Sequence, residues 1–342
     1  MTRYWPSVIC RVAVVLALLV ILVGGWTRIM DAGLGCPDWP GCFGQFTVPD
    51  TEEQISRAEQ RFAGVQVDVQ KGSIEMLHRY MASALGFLIL ILALFGWRRR
   101  HQHDYPWRVS IGLLVLVIAQ GMFGMWTVTL KLHPLVVTGH LLGGLLTLTL
   151  LTHLAIRLSG SAQKQGVNLG LEKIQNRQKK LINLALVVLF VQMILGGWTS
   201  ANYAGWACNH WLKCADQAVE LDFAGGFSPS LNTEQNYLGG VLPHPARAAI
   251  QMTHRVGALV VTGVLLFMAV ALWPRSELRT ALLISLSLLV VQILLGVANA
   301  VVGVPVVLAI AHHGIAVALL LSLLWLKYSV GHFHAESEVA YA

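Results

Sequence analysis

Four histidines, His78, His140, His254 and His312, occupy places tied together by an internal duplication of the chain, and imidazoles brought together in pairs are metal ligands. His140 and His312 are 172 residues apart. The same offset carries Gly24-Gly25-Trp26-Thr27 onto Gly196-Gly197-Trp198-Thr199, and Cys36, Trp39 and Cys42 onto Cys208, Trp211 and Cys214. Gln120 and Gly124 recur as Gln292 and Gly296, while His78-Arg79 recurs as His254-Arg255 at an offset of 176, a slip that one loop absorbs. The repeat predicts two equivalent bis-histidine sites.

A single histidine in an apolar helix is readily explained as a satisfied structural residue. Four on four helices at repeat-related places point instead to buried ligand sites, because imidazole is costly in lipid and turns to a protein interior. Zinc would call for further Cys, Asp or His nearby and a closed tetrahedral set, whereas the helical neighbours here are apolar. Two imidazoles at equal depth on facing helices can instead approach one planar metal macrocycle from both faces, which is how helix bundles hold heme. Arg79 and Arg255, each next to a candidate ligand, are placed either to reach heme propionates or to snorkel to lipid headgroups. For the fourth ligand His313 adjoins His312, and the 172-residue offset favours His312.

The halves also differ. Glu75 precedes His78 by one helical turn, and the equivalent position before His254 is Gln251. An ionisable carboxyl in a span is a functional candidate. The division of labour this predicts is a reactive site in the first half and an electron-holding site in the second. Each half carries a cysteine pair, Cys36 with Cys42 and Cys208 with Cys214, in a loop expected on the oxidising side, where such pairs can form disulfides. Stapling of the loop is one reading of each pair. A redox role, passing electrons or briefly anchoring a substrate, is the other, and it is stronger for Cys36 and Cys42 because Glu75 shares their half.

The elements that must position these groups are membrane helices. Hydrophobic residues make up 56% of the 342 and charged residues 12%, with a mean hydropathy of +0.64, too apolar for a soluble domain. Eight continuous apolar runs, near 8–28, 74–96, 108–130, 134–156, 181–200, 247–273, 280–300 and 305–326, reach the length of about 20 residues that a helical span needs. Their continuity excludes a β-barrel. The expected fold is therefore an all-α integral membrane protein, with eight transmembrane helices in two parallel-repeat four-helix bundles. Basic residues gather at 98–100, 173–180 and 275–279, and the long loops near 29–73 and 201–246 fall on the opposite side, so both termini are expected in the cytoplasm. The net charge of +7 is then a topology signal and calls for no nucleic-acid partner. The first run is read as a retained helix, and a bacterial cytoplasmic (inner) membrane as the location, since no Arg- and Ser-rich transit segment precedes it. Expected divisions are 1–157 for the first bundle, 158–180 for a cytoplasmic linker, 181–328 for the second bundle and 329–342 for a cytoplasmic tail.

Glu75-x-x-His78-Arg79, the loop Cys36-Pro37-Asp38-Trp39-Pro40-Gly41-Cys42, and His140, His254 and His312 in eight duplicated spans together resemble the heme A synthase family over about residues 8–328. The resemblance implies an oxidoreductase that converts the C8 methyl of heme O to the formyl of heme A through a hydroxymethyl intermediate, for use in terminal cytochrome oxidase. It further implies that His78 and His140 bracket the substrate heme, that His254 and His312 ligate a resident heme b, and that Glu75 serves the oxidation. The implied partners are heme O, the enzyme that produces it, an electron donor and membrane lipid, with a homo-oligomer compatible. Asn209-His210 departs from the Pro37-Asp38 of the first loop, so the resemblance does not by itself extend the function of the first cysteine pair to the second. A di-heme b-type electron carrier would share the histidines without needing the Glu75/Gln251 difference, and a transporter would share the duplication.

Overall fold

The computed structural model describes residues 4–102, 105–159, 169–208, 214, 220–229 and 232–339. Among the described residues there is no strand, and the helices are α1 (Tyr4–Ile29), α2 (Glu52–Arg61), α3 (Val69–Arg98), α4 (Trp107–Thr129), α5 (Pro134–Leu158), α6 (Leu169–Ala201), α7 (Phe223–Gly226), α8 (His244–Leu272), α9 (Arg279–Val302) and α10 (Val306–Val339). All but α2 and α7 are long and apolar enough to cross a membrane, eight in total. Large apolar side chains on their outer faces stay exposed, Val270 at 75% and Val307 at 77% among them, which a bilayer tolerates and water does not. The protein is a multi-pass membrane protein.

Two compact units result, Met1–Ser159 with Ser228–Val241, and Gly160–Phe227 with Leu242–Ala342. In the first, α1 packs on α3 and α5, and α4 on α3 and α5, closing a four-helix ring. In the second, α6 packs on α8 and α10, and α9 on α8 and α10, closing the same ring. Fully buried Ile89, Leu92, Leu113, Leu145, Leu148 and Leu151 fill the first core, and Ile182, Leu265, Met268 and Leu282 the second. The units do not follow chain order throughout: Ser228–Val241 belongs to the first, where the Tyr237 amide donates to the Lys131 carbonyl at 3.0 Å and the Tyr237 ring meets His133 edge-on at 5.0 Å.

Helix ends follow local chemistry more than the limits of the apolar runs. Asp68 caps α3 by accepting from the Lys71 amide, so the helix starts more than a turn before its apolar run and places Glu75 and His78 well inside it. Pro134 opens α5 at a position where a missing N–H is harmless, and Gly303, with φ +81°, ends α9. Of the stretch 158–180 expected as a linker, residues 160–168 lie outside the described residues, and from Leu169 onward the chain is already α6. The expected tail is helical to Val339, and residues 340–342 are likewise outside.

The long first loop carries α2, which the apolar pattern does not reveal. Thr51 caps it through the Gln54 amide, Glu52 and Glu53 favour its first turn, and Arg61 its last. Ala58 of α2 and Met76 of α3 bury the Cys36–Cys42 pair together with Phe43, with Val48, Phe62 and Val67 packed around them. The loop thus has a small core of its own, standing on the end of α3.

Candidate functional site

Each of the four histidines stands against a glycine of a neighbouring helix, and the four glycines obey the repeat. A Cβ at Gly24 would come within 2.8 Å of His78 Cε1, and one at Gly124 within 3.5 Å of His140 Cε1. The corresponding approaches are 3.3 Å from Gly196 to His254 and 3.1 Å from Gly296 to His312. The bare backbone of the adjacent helix makes room for His78 and keeps His254 and His312 from crowding, whereas a Cβ at Gly124 would make an ordinary contact with His140. His78 and His140 lie with ring centroids 6.3 Å apart and planes at 82°, and His254 and His312 are close enough to interact electrostatically. His312 is the residue turned toward α9, where Gln292 Nε2 lies 3.2 Å from its Nε2.

These pairs suit a heme. Among the described residues no cluster of three or more His, Cys, Asp or Glu could hold a metal ion, so a metal held by two imidazoles must bring its other ligands with it, as a macrocycle does. The 6.3 Å between the first two rings is the span that the ring radii and two metal–imidazole bonds of about 2 Å would fill. Nδ1 of His78, His140 and His312 is buried and makes no hydrogen bond of regular geometry, and a backbone carbonyl of the neighbouring helix, from Val20, Gln120 and Gln292 in turn, approaches each of these rings.

Beside the first pair, Glu75 is buried at 4% exposure and held from two sides. The Cys36 amide donates to Oε2 at 3.0 Å, and Arg79, one turn further along α3, pairs with Oε1. This approach depends on Gly35, where any Cβ would lie 2.6 Å from the backbone of Lys71 and Gly72, so only glycine lets the loop descend onto α3. Cys36 and Cys42 form a disulfide, and Asp38 shapes the loop between them by accepting from the amides of Phe43 at 2.6 Å and Gly44 at 2.7 Å. The Arg79 guanidinium also donates to the carbonyls of Asp38, Pro40 and Gly41. Arg79 thereby ties Glu75 to the disulfide loop, an arrangement a sequence cannot state because it depends on where the loop folds back.

The second half repeats the frame with a neutral centre. Gln251 is buried at the Glu75 position and donates to the Gly205 carbonyl at 3.0 Å, and Arg255 donates to the Cys208 carbonyl at 3.0 Å. Cys208 and Cys214 are also joined, and Cys208 packs with Ala207 and Ala248. Asn209 and His210, where the two loops diverge in sequence, lie outside the described residues.

A model of cytochrome oxidase assembly proteins, COX15-CtaA, matches residues 7–324. The chain belongs to the COX15-CtaA family. A Shewanella oneidensis protein named heme A synthase is 39% identical over 326 residues, covering 94% of this chain and 96% of that one. Proteins of the same name from Rhizorhabdus wittichii, at 27% identity, and Chelativorans sp., at 28%, cover 91% and 97% of this chain and 90% and 91% of their own lengths. In this COX15-CtaA chain the histidines, cysteines and Glu75 were all visible as repeated or pointedly unrepeated residues. Two contacts were not: the loop clamp made by Arg79, and Gln192 of α6, whose Nε2 is 3.0 Å from His254 Nδ1. Gln192 precedes Gly196 by four residues, the spacing of Gln120 from Gly124 and of Gln292 from Gly296, and that shared spacing was the available signal for the second.

Proposed function

We propose that the protein is a heme A synthase, an oxidoreductase that takes heme O as substrate and converts its C8 methyl to the formyl of heme A through a hydroxymethyl intermediate. The observation that carries this reading is the buried Glu75, fixed by the Cys36 amide and Arg79 one turn from His78, in a frame whose second copy holds Gln251 instead. His78 and His140 bracket the substrate, and His254 and His312 hold a resident heme b. When bound, that heme supplies a site able to store and pass single electrons. His78 and His140 set the position of the substrate between α3 and α5. Glu75 takes or relays the proton released as the methyl is oxidised, and its hydrogen bonds fix where the carboxyl points. The loop closed by Cys36 and Cys42 holds Glu75 in place through the Cys36 amide and through Arg79.

The protein sits in the bacterial cytoplasmic membrane with both termini in the cytoplasm and both disulfide loops outside, in keeping with the basic clusters at 98–100, 173–180 and 275–279. It receives heme O from the enzyme that makes it and depends on an electron-transfer partner. Expression in cells supplied with heme O, followed by chromatography of extracted hemes, tests the function: heme A and resident heme b are expected. Two equivalents of heme b and no heme A would indicate a di-heme electron carrier instead.

A further inference from the structure

A cation precedes the first histidine of each half by seven residues, as Lys71-x3-Glu75-x2-His78 on α3 and Arg247-x3-Gln251-x2-His254 on α8. Seven residues are close to two helical turns, so each cation shares a face with its histidine and stands about 10 Å nearer the start of the helix, at 1.5 Å per residue. Both cations fall in the first turn of their helices, where the helix dipole favours anions, so local helix stability does not account for them. Arg247 is the more telling of the two. Its Nε is buried without a hydrogen-bond partner, and among the described residues it forms no ion pair. A guanidinium nitrogen withdrawn from water calls for an acceptor. The arginines next to the histidines are engaged elsewhere, Arg79 by Glu75 and the loop carbonyls and Arg255 by the Cys208 carbonyl.

We propose that Arg247 binds a propionate of the heme held by His254 and His312, and that Lys71 does the same for the heme held by His78 and His140. This rests on the reading of the two pairs as heme ligands. The separation suits the task, because a heme standing edge-on between facing helices carries its propionate carboxylates on the order of 10 Å from the metal, the same offset that parts cation from imidazole. A carboxylate there would give Arg247 charge-assisted hydrogen bonds where it now lacks an acceptor. Anchoring that edge also fixes how the macrocycle is turned within its own plane. In the first half this bears on which methyl meets Glu75, since the C8 methyl of heme O shares its pyrrole with a propionate and Glu75 lies between Lys71 and His78 on one helix face. Lys71 thereby determines specificity through substrate orientation, and Arg247 does the corresponding work of seating the resident heme.

The test uses purified protein with its resident heme b and reads the midpoint potential and the transfer of heme to excess apomyoglobin. Arg247→Gln is expected to lower the potential, because loss of a nearby cation favours ferric iron, and to speed transfer about 10- to 100-fold. Arg247→Lys keeps the charge and should stay near the parental potential; an equal fall in both variants would count against a propionate contact. Parental potential and transfer rate in Arg247→Gln would overturn the inference. Should Arg247→Gln fail to fold, Lys71→Gln decides: the parent should bind heme O more tightly than heme O dimethyl ester, and the variant should bind the two alike. A preference for the free acid that survives in Lys71→Gln refutes the proposal. A parent protein that binds no heme b would remove the underlying ligand reading, whereas heme b held with parental properties by Arg247→Gln removes this inference alone.

Discussion

The Cys36 amide donates a 3.0 Å hydrogen bond to Oε2 of Glu75, so the disulfide loop and the buried carboxyl beside His78 form one unit. The loop's other tether, Arg79, binds the same carboxyl and three loop carbonyls. Any change that loosens the loop therefore reaches Glu75 directly.

The first consequence concerns the disulfide. Thiol labelling of membranes prepared without reductant should find Cys36 and Cys42 protected. Cys42→Ser should depress conversion of heme O while leaving the spectrum of the proposed heme b unchanged, because Glu75 loses a firmly held donor while the second bundle is untouched. Free thiols at both positions in oxidised membranes would contradict the paired loop. Replacing Cys208 or Cys214 should lower folded yield instead of turnover per folded molecule.

Arg79 and Arg255 share a place in the repeat but not a burden. Arg79→Ala strands a buried carboxylate and several carbonyls, and loss of one partner of a buried ion pair costs about 3–5 kcal/mol. Arg255→Ala gives up its hydrogen bond to Cys208, a contact of about 1.5–3 kcal/mol. Thermal unfolding in detergent should rank Arg79→Ala as the more damaging, and equal losses would count against the clamp.

The sequence declared much of this arrangement because duplication turns each functional residue into a pair, and Glu75/Gln251 stands out as a pair that broke. Eight spans were legible from continuous apolar runs. Helix ends were not, because Asp68 and the residues after Leu169 extend α3 and α6 through polar turns that carry no apolar signal. The α2 helix was hidden for the same reason: a short, largely polar helix draws its stability from its Thr51 cap and from Ala58 packing against the disulfide. The contacts of Arg79 and Gln192 depend on long-range approach: the sequence offered propionate contact and lipid snorkelling for Arg79, and the fold adds its hold on the disulfide loop.

For the second pair, the proposed heme b site requires that His254→Ala and His312→Ala each abolish tightly bound, low-spin heme b, because each would remove one of the two proposed ligands. His313→Ala should be milder than His312→Ala, since His312 is the ring set against Gly296. Optical spectra of purified variants check both expectations, and the reverse order for the adjacent histidines would move the ligand by one residue.

The most direct measurement compares Glu75→Gln with its reciprocal, Gln251→Glu, in cells supplied with heme O, reading heme A by chromatography and heme b by spectrum. Glu75→Gln keeps the side chain's size and its capacity to hydrogen-bond to the Cys36 amide but removes the ionisable group. The account predicts that heme A formation collapses, with an early oxidation product accumulating, while heme b at His254 and His312 persists, and that Gln251→Glu leaves conversion largely intact. Heme A made at the parental rate by Glu75→Gln would contradict a reactive first half built on its carboxyl.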